Sequence, residues 1–243
     1  MGLDFSVFLS LESWLALGTL SFLEIILGID NLLFISLISQ KLPDQKQDKA
    51  RVLGLILALL FRLLMLSLLS WIAHFQEPLF ELMGQSFSGR NVVLFCGGVF
   101  LLVKTIGEIH EKTTKKPRAQ TSRKKMSFGS AVALIVMIDL VFSLDSILTA
   151  VGMVSELAIM VSAVVLSMIV MIIFVNRISR FILKHPSIQM LALSFLILIA
   201  FILILDGLNQ HIDRAYVYFA LCFALLVEFL NLRSQKSADT QEI

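Results

Sequence analysis

Seven stretches of the chain stay apolar long enough, with one or two interruptions, to be read as membrane-crossing helices. They are Leu15–Ser39, Val52–Ala73, Val92–Val103, Phe128–Met153, Leu157–Val175, Ile188–Leu205 and Ala215–Leu230. The pattern predicts an all-α polytopic membrane protein with seven transmembrane helices. Composition agrees: 58% of the 243 residues are hydrophobic, only 16% are charged, and the mean hydropathy is +0.90, which excludes a water-soluble core. The first thirteen residues hold Asp4 and Glu12 and no Lys or Arg. That is the reverse of a basic leader, so the first helix is expected to be retained.

The basic residues are unevenly distributed. One set of connections holds Lys41, Lys46, Lys49 and Arg51, then seven bases from Lys112 to Lys125, then Arg177, Arg180 and Lys184, and finally Arg233 and Lys236 in the tail. The opposite set holds Arg90 and Arg214. By the positive-inside rule, the N-terminus is expected outside and the C-terminus in the cytoplasm. The basic segment around Pro117 is read as an orientation signal contacting water and lipid headgroups. Cys96 and Cys222 are isolated within helices, so no disulfide framework or cysteine metal cluster is expected, and buried packing is their predicted role.

Acids inside the apolar runs reveal an internal repeat. Glu24 precedes Asp30 by six residues within EIILGIDN, and Asp139 precedes Asp145 by six within DLVFSLDS. Arg62 follows Asp30 by 32 residues, and Arg177 follows Asp145 by 32. The repeat unit is therefore three helices, and an odd number of spans inverts the second copy. The expected organisation is repeat 1 over 14–109, a basic cytoplasmic loop over 110–127, repeat 2 over 128–209, a seventh helix over 215–233 and a tail over 234–243.

Carboxylates in such helices are costly. Residues 20–39 contain thirteen Leu, Ile or Phe, worth roughly −4 to −8 kcal/mol of insertion, against about +5 to +7 kcal/mol for two central carboxylates. The acids must be neutral, paired or solvated in the bundle, which makes them candidates for function. Arg62 can balance one or two of the four. On a continuous helix, residues six apart sit about 120° and about 9 Å from each other. Two arrangements follow: helix breaks at Gly28 and Ser143 that turn the acids inward, or two successive cation stations on unbroken helices. Asn31 and Ser146, each directly after its aspartate, add neutral oxygen donors. The candidate metal ligands are thus Glu24, Asp30, Asn31, Asp139, Asp145 and Ser146. Neither acid-bearing helix contains Cys or His, so hard divalent ions such as Mn²⁺, Mg²⁺ or Ca²⁺ suit the set better than Zn²⁺ or Cu⁺. The four histidines fall near helix ends and are not read as ligands. Lys104, Glu228 and Asp206 are read as structural, with Asp206 the best of them for a place on an exit path. Gly97–Gly98 predicts close helix packing.

These two acidic segments, with Arg62 and the later LALSFLILIAF and VEFLNL stretches, resemble the TerC family of integral membrane proteins over nearly the whole chain. The similarity is to a short branch that ends after the membrane domain. It implies membership of the broader LysE-type transporter superfamily, seven helices with a three-helix duplication, residence in a bacterial inner membrane, and export of divalent metal, chiefly manganese. It also implies an association with tellurium resistance, although an oxyanion would prefer basic or helix-N-terminal groups to paired acids.

The leading expectation is a manganese exporter in which protons compete with metal for the carboxylates, with no bound cofactor. A membrane assembly factor that supplies metal to exported proteins beside the translocation machinery is the alternative. Amino-acid export is weaker, because a substrate carboxylate would find few partners beyond Arg62. No phosphate-binding glycine loop, zinc-hydrolase motif or catalytic triad appears, so neither enzymatic activity nor an ATP-driven pump is expected. Nothing calls for a nucleic-acid partner.

Overall fold

The computed structural model describes residues 8–68, 77–82, 84–114, 126–154 and 156–239. Among them are seven helices: α1 Leu11–Ser39, α2 Asp44–Ser67, α3 Gly89–Thr113, α4 Phe128–Met153, α5 Leu157–Lys184, α6 Pro186–Gly207 and α7 Arg214–Asp239. Of these, α1, α2, α3, α5 and α6 are long and apolar enough to cross a membrane, while α4 and α7 carry the shorter apolar stretches Phe128–Leu144 and Ala215–Asn231. The polar pattern is inside out. Glu24, Arg62 and Asp139 are at most 3% exposed, whereas Tyr216 and Phe219 are 75% exposed and Leu15 is 63% exposed. Charges inside and large apolar side chains outside suit a hydrocarbon solvent.

Local chemistry sets several element ends. Ser10 and Ser127 cap α1 and α4, each hydroxyl accepting the N–H three residues on, which satisfies one of the orphan donors of the first turn. Pro43 precedes α2 in an extended conformation. The helix starts at Asp44, so Lys46, Lys49 and Arg51 ride on its first two turns instead of forming the expected loop. The basic segment 115–125, residues 69–76 at the end of the second predicted span and the last tail residues 240–243 lie outside the described residues.

The all-α expectation needs one correction. An antiparallel hairpin, β1 Pro78–Leu82 with β2 Gln85–Ser88, lies between α2 and α3. Phe80 and Phe87 stack across it with ring centroids 5.4 Å apart. Gly84 has φ +78°, a left-handed conformation that costs glycine nothing and other residues about 1–2 kcal/mol. The cysteines also differ from expectation: Cys96 and Cys222 are free and exposed, on surfaces whose neighbours are the exposed Phe95 and Phe223. In a chain with this inside-out pattern, a small apolar thiol has no need of a buried position.

The helices form two compact units. In the first, α1 and α2 are antiparallel, since Ser39 meets Arg51 at one level and Glu24 meets Arg62 at another. Two contacts make α2 and α4 parallel: Gly54 lies against Ile135, and Arg62 against Asp139. The acid-bearing helices α1 and α4 therefore run in opposite directions. In the same way, α1 and α5 are parallel, through Gly28 against Met171 and a Ser36–Ser179 hydroxyl contact of 2.6 Å. In the second unit, α3 crosses α6 at backbone contact. A Cβ on Gly98 would lie 2.8 Å from the Ala200 carbonyl oxygen, and one on Gly207 would lie 2.7 Å from the Phe95 backbone nitrogen. The Gly97–Gly98 expectation is met at Gly98.

Candidate metal centre

The first unit buries two carboxylates and a guanidinium together at one level of the helices. Arg62 projects from α2 and is held by both acid-bearing helices. Its Nε donates to Asp139 Oδ2 and its Nη2 to Asp139 Oδ1, each at 2.9 Å, while Nη1 donates to Glu24 Oε2 at 2.8 Å. The Asp139 pairing is the two-pronged geometry that a planar guanidinium makes with a carboxylate. Asn31, 2% exposed, donates its amide N–H to Asp139 Oδ1 at 2.9 Å. Ser143, one turn along α4, donates to Asp139 Oδ2 at 3.0 Å and also contacts the Asp139 carbonyl oxygen.

The electrostatics of this group are incomplete. Two carboxylates face one guanidinium, so the ionised cluster carries a net charge of −1 in a buried site. Asn31 Oδ1 has no hydrogen-bond partner among the described residues. Its orientation follows from chemistry: an ionised carboxylate only accepts, so the amide N–H must face Asp139 and the oxygen must point elsewhere. A buried amide oxygen left unpaired costs about 1–3 kcal/mol, and a cation is one group that would satisfy it.

Of the six candidate ligands, Glu24 and Asp139 meet Arg62 directly, and Asn31 joins them through Asp139. Ser146 instead donates to the Ser143 carbonyl oxygen at 3.3 Å. Asp30 and Asp145 lie on α1 and α4, and their side chains are outside the described residues. Both helices run unbroken through Gly28 and Ser143, which corrects the helix-break expectation. Gly28 instead admits the Met171 side chain: a Cβ there would overlap Met171 Sδ and meet its Cε at 3.2 Å. Ser143 serves as a hydroxyl donor to the acid one turn before it. Its i, i+4 spacing from Asp139 was a readable sign of that pairing. Among the described residues, no group of three or more His, Cys, Asp or Glu side chains gathers as a ready-made metal cage.

Other polar side chains behave structurally. His211 Nδ1 lies 3.1 Å from buried Asp206 Oδ1 at the end of α6, and His185 Nδ1 lies 2.9 Å from the Phe181 carbonyl oxygen. His74 is outside the described residues, and His110 is in the last turn of α3.

Comparison with known proteins places the chain among integral membrane proteins. Residues 9–242 match the family described as "Integral membrane protein TerC family". The chain is 45% identical over 225 residues to the UPF0053 inner membrane protein YgdQ of Escherichia coli strain K12, covering 93% of this chain and 94% of that protein. It is 41% identical over 226 residues to a UPF0053 protein of Haemophilus influenzae, covering 93% and 95% of the two chains. It is also 45% identical to the E. coli inner membrane protein YoaE over 90% of this chain and 42% of that longer protein. No solved structure matches the chain. A family match of this extent, with inner-membrane relatives matched almost end to end, means that the chain belongs to the TerC family of integral membrane proteins.

Proposed function

We propose that the protein exports a divalent cation, manganese first among them, from the bacterial cytoplasm, with Glu24, Asp30, Asn31, Asp139, Asp145 and Ser146 handling the ion. One observation carries the reading: a net-negative buried carboxylate cluster contains an amide oxygen with no partner among the described residues. A divalent cation or a proton relieves that charge, so the two compete for the same oxygens. With all four acids ionised, one divalent ion and Arg62 leave a single negative charge. Protonation of one carboxylate as the metal leaves removes part of the resulting excess, and this is the basis for proton-coupled antiport.

Seven spans in two inverted three-helix repeats, with an outside N-terminus and a cytoplasmic C-terminus, complete the proposal. The opposed directions of α1 and α4 support it. So does the division into units: the first two helices of each repeat lie mainly in one unit, and the third helices lie mainly in the other, with α7. The proposed cycle is alternating access between the two three-helix halves.

Manganese flux in proteoliposomes tests the reading, comparing wild type with Asp30→Asn, Asp145→Asn and Glu24→Gln at matched reconstitution, with Mg²⁺ and Ca²⁺ as competitors. The expected result is flux in wild type, loss of flux in all three variants and a rate that responds to an imposed pH gradient. Well-folded wild type that moves no divalent ion, with or without a proton gradient, would favour the assembly-factor reading instead.

A further inference from the structure

The contact between Gly28 and Met171 places a sulfur donor beside the acidic cluster. Gly28 follows Glu24 by four residues and precedes Asn31 by three, so the three lie on one face of α1. The Met171 thioether on α5 occupies the space that a side chain at position 28 would fill. Met171 is 1% exposed, and Glu24 and Asn31 are each 2% exposed, so the thioether packs against the same buried face of α1 that carries the carboxylate and the amide.

We infer that Met171 is a specificity-determining ligand that makes this site admit softer divalent ions, Cd²⁺ among them, better than oxygen donors alone would, relative to Mg²⁺ and Ca²⁺. The inference rests on the transport reading for the presence of a cation, and it deepens that reading by naming the class of cation accepted. Oxygen donors alone discriminate poorly among Mn²⁺, Mg²⁺ and Ca²⁺, since all three suit carboxylate and carbonyl ligands. A thioether offers polarisable electrons that a soft divalent ion such as Cd²⁺ uses and that Mg²⁺ and Ca²⁺ do not. In a site whose other donors are Glu24 and Asn31 Oδ1, one sulfur decides the preference. Packing alone would be served equally well by leucine, which replaces methionine in cores with little loss.

The test is equilibrium binding to the purified full chain carrying Cys96→Ser and Cys222→Ser, which removes competing thiols. Bound Mn²⁺ is followed by electron paramagnetic resonance while Cd²⁺ or Ca²⁺ displaces it. Met171→Leu is expected to weaken Cd²⁺ by about tenfold or more while leaving Ca²⁺ within about twofold. Met168→Leu, at a buried position one turn away, is expected to change neither. X-ray absorption at the cadmium edge is expected to show a sulfur neighbour in the thiol-free protein, a reading that needs no folded Met171 variant. An unchanged Cd²⁺-to-Ca²⁺ ratio in Met171→Leu, or a cadmium shell of oxygen alone, would overturn the inference and leave the transport reading standing. Failure of the thiol-free protein to bind any divalent ion would overturn both.

Discussion

Two arginines on α2 have opposite surroundings. Arg51 and Arg62 are eleven residues apart, which puts them about 16 Å apart along the axis and within about 20° of the same face. Both are buried, at 1% and 3% exposure. Arg51 meets mostly neutral oxygens: Ser39 Oγ at 2.7 Å, Gln47 Oε1 at 3.0 Å and Asn176 Oδ1 at 3.3 Å. Its one carboxylate, Asp48 at 2.7 Å, is 62% exposed. Arg62 meets two fully buried carboxylates. Arg51 thus ties α1, α2 and α5 together with its charge balanced at a wet edge. Arg62 ties α1, α2 and α4 together and still leaves negative charge in the interior. A fold that needed only a helix clamp has the Arg51 solution available. The surplus carboxylate at Arg62 is explained better by a cation than by stability.

The largest expected effect comes from breaking the inner cluster. Arg62→Leu strands two buried carboxylates, and removing one partner of a buried ion pair costs about 3–5 kcal/mol. Unfolding in mixed micelles should show that loss, and adding Glu24→Gln and Asp139→Asn should recover most of it without restoring metal binding. Arg51→Leu should cost less, about 1–3 kcal/mol, because the groups it abandons are neutral or reach water. If the two single variants lose equal stability, the contrast between the sites fails. Asp48→Asn should be the mildest, at about 0–1 kcal/mol, because Asp48 is itself 62% exposed and its charge is largely screened by water. A larger loss would place Asp48 in a structural network comparable to that of Arg62.

Much of this arrangement was readable along the chain because a bilayer imposes long apolar runs and makes every acid within them conspicuous. That Arg62 would meet one or two of the four central acids also followed from charge economy, but which two, Glu24 and Asp139, did not. What stayed hidden depended on contacts between distant segments. Arg51 read as a loop charge because its partners Ser39 and Asn176 lie on other helices, Asn176 being 125 residues away. The hairpin at Pro78–Ser88 is too short, and its stacked Phe80 and Phe87 too ordinary, to stand out between two spans. Met171 gave no signal, because methionine in an apolar helix reads as packing. Gly28 was noticed for the wrong reason: its missing side chain accommodates a sulfur rather than a helix break.

On the proposed reading, the surplus negative charge around Arg62, and not a polar helix clamp as such, holds the cation. Manganese binding by electron paramagnetic resonance in wild type, Glu24→Gln and Asp48→Asn tests it most directly. Glu24→Gln removes the surplus charge while Arg62 keeps its two-pronged pairing with Asp139, and Asp48→Asn removes the acid at the other arginine. Wild type and Asp48→Asn are expected to bind with equal affinity, and Glu24→Gln to lose about tenfold or more. Wild-type affinity in Glu24→Gln would contradict it.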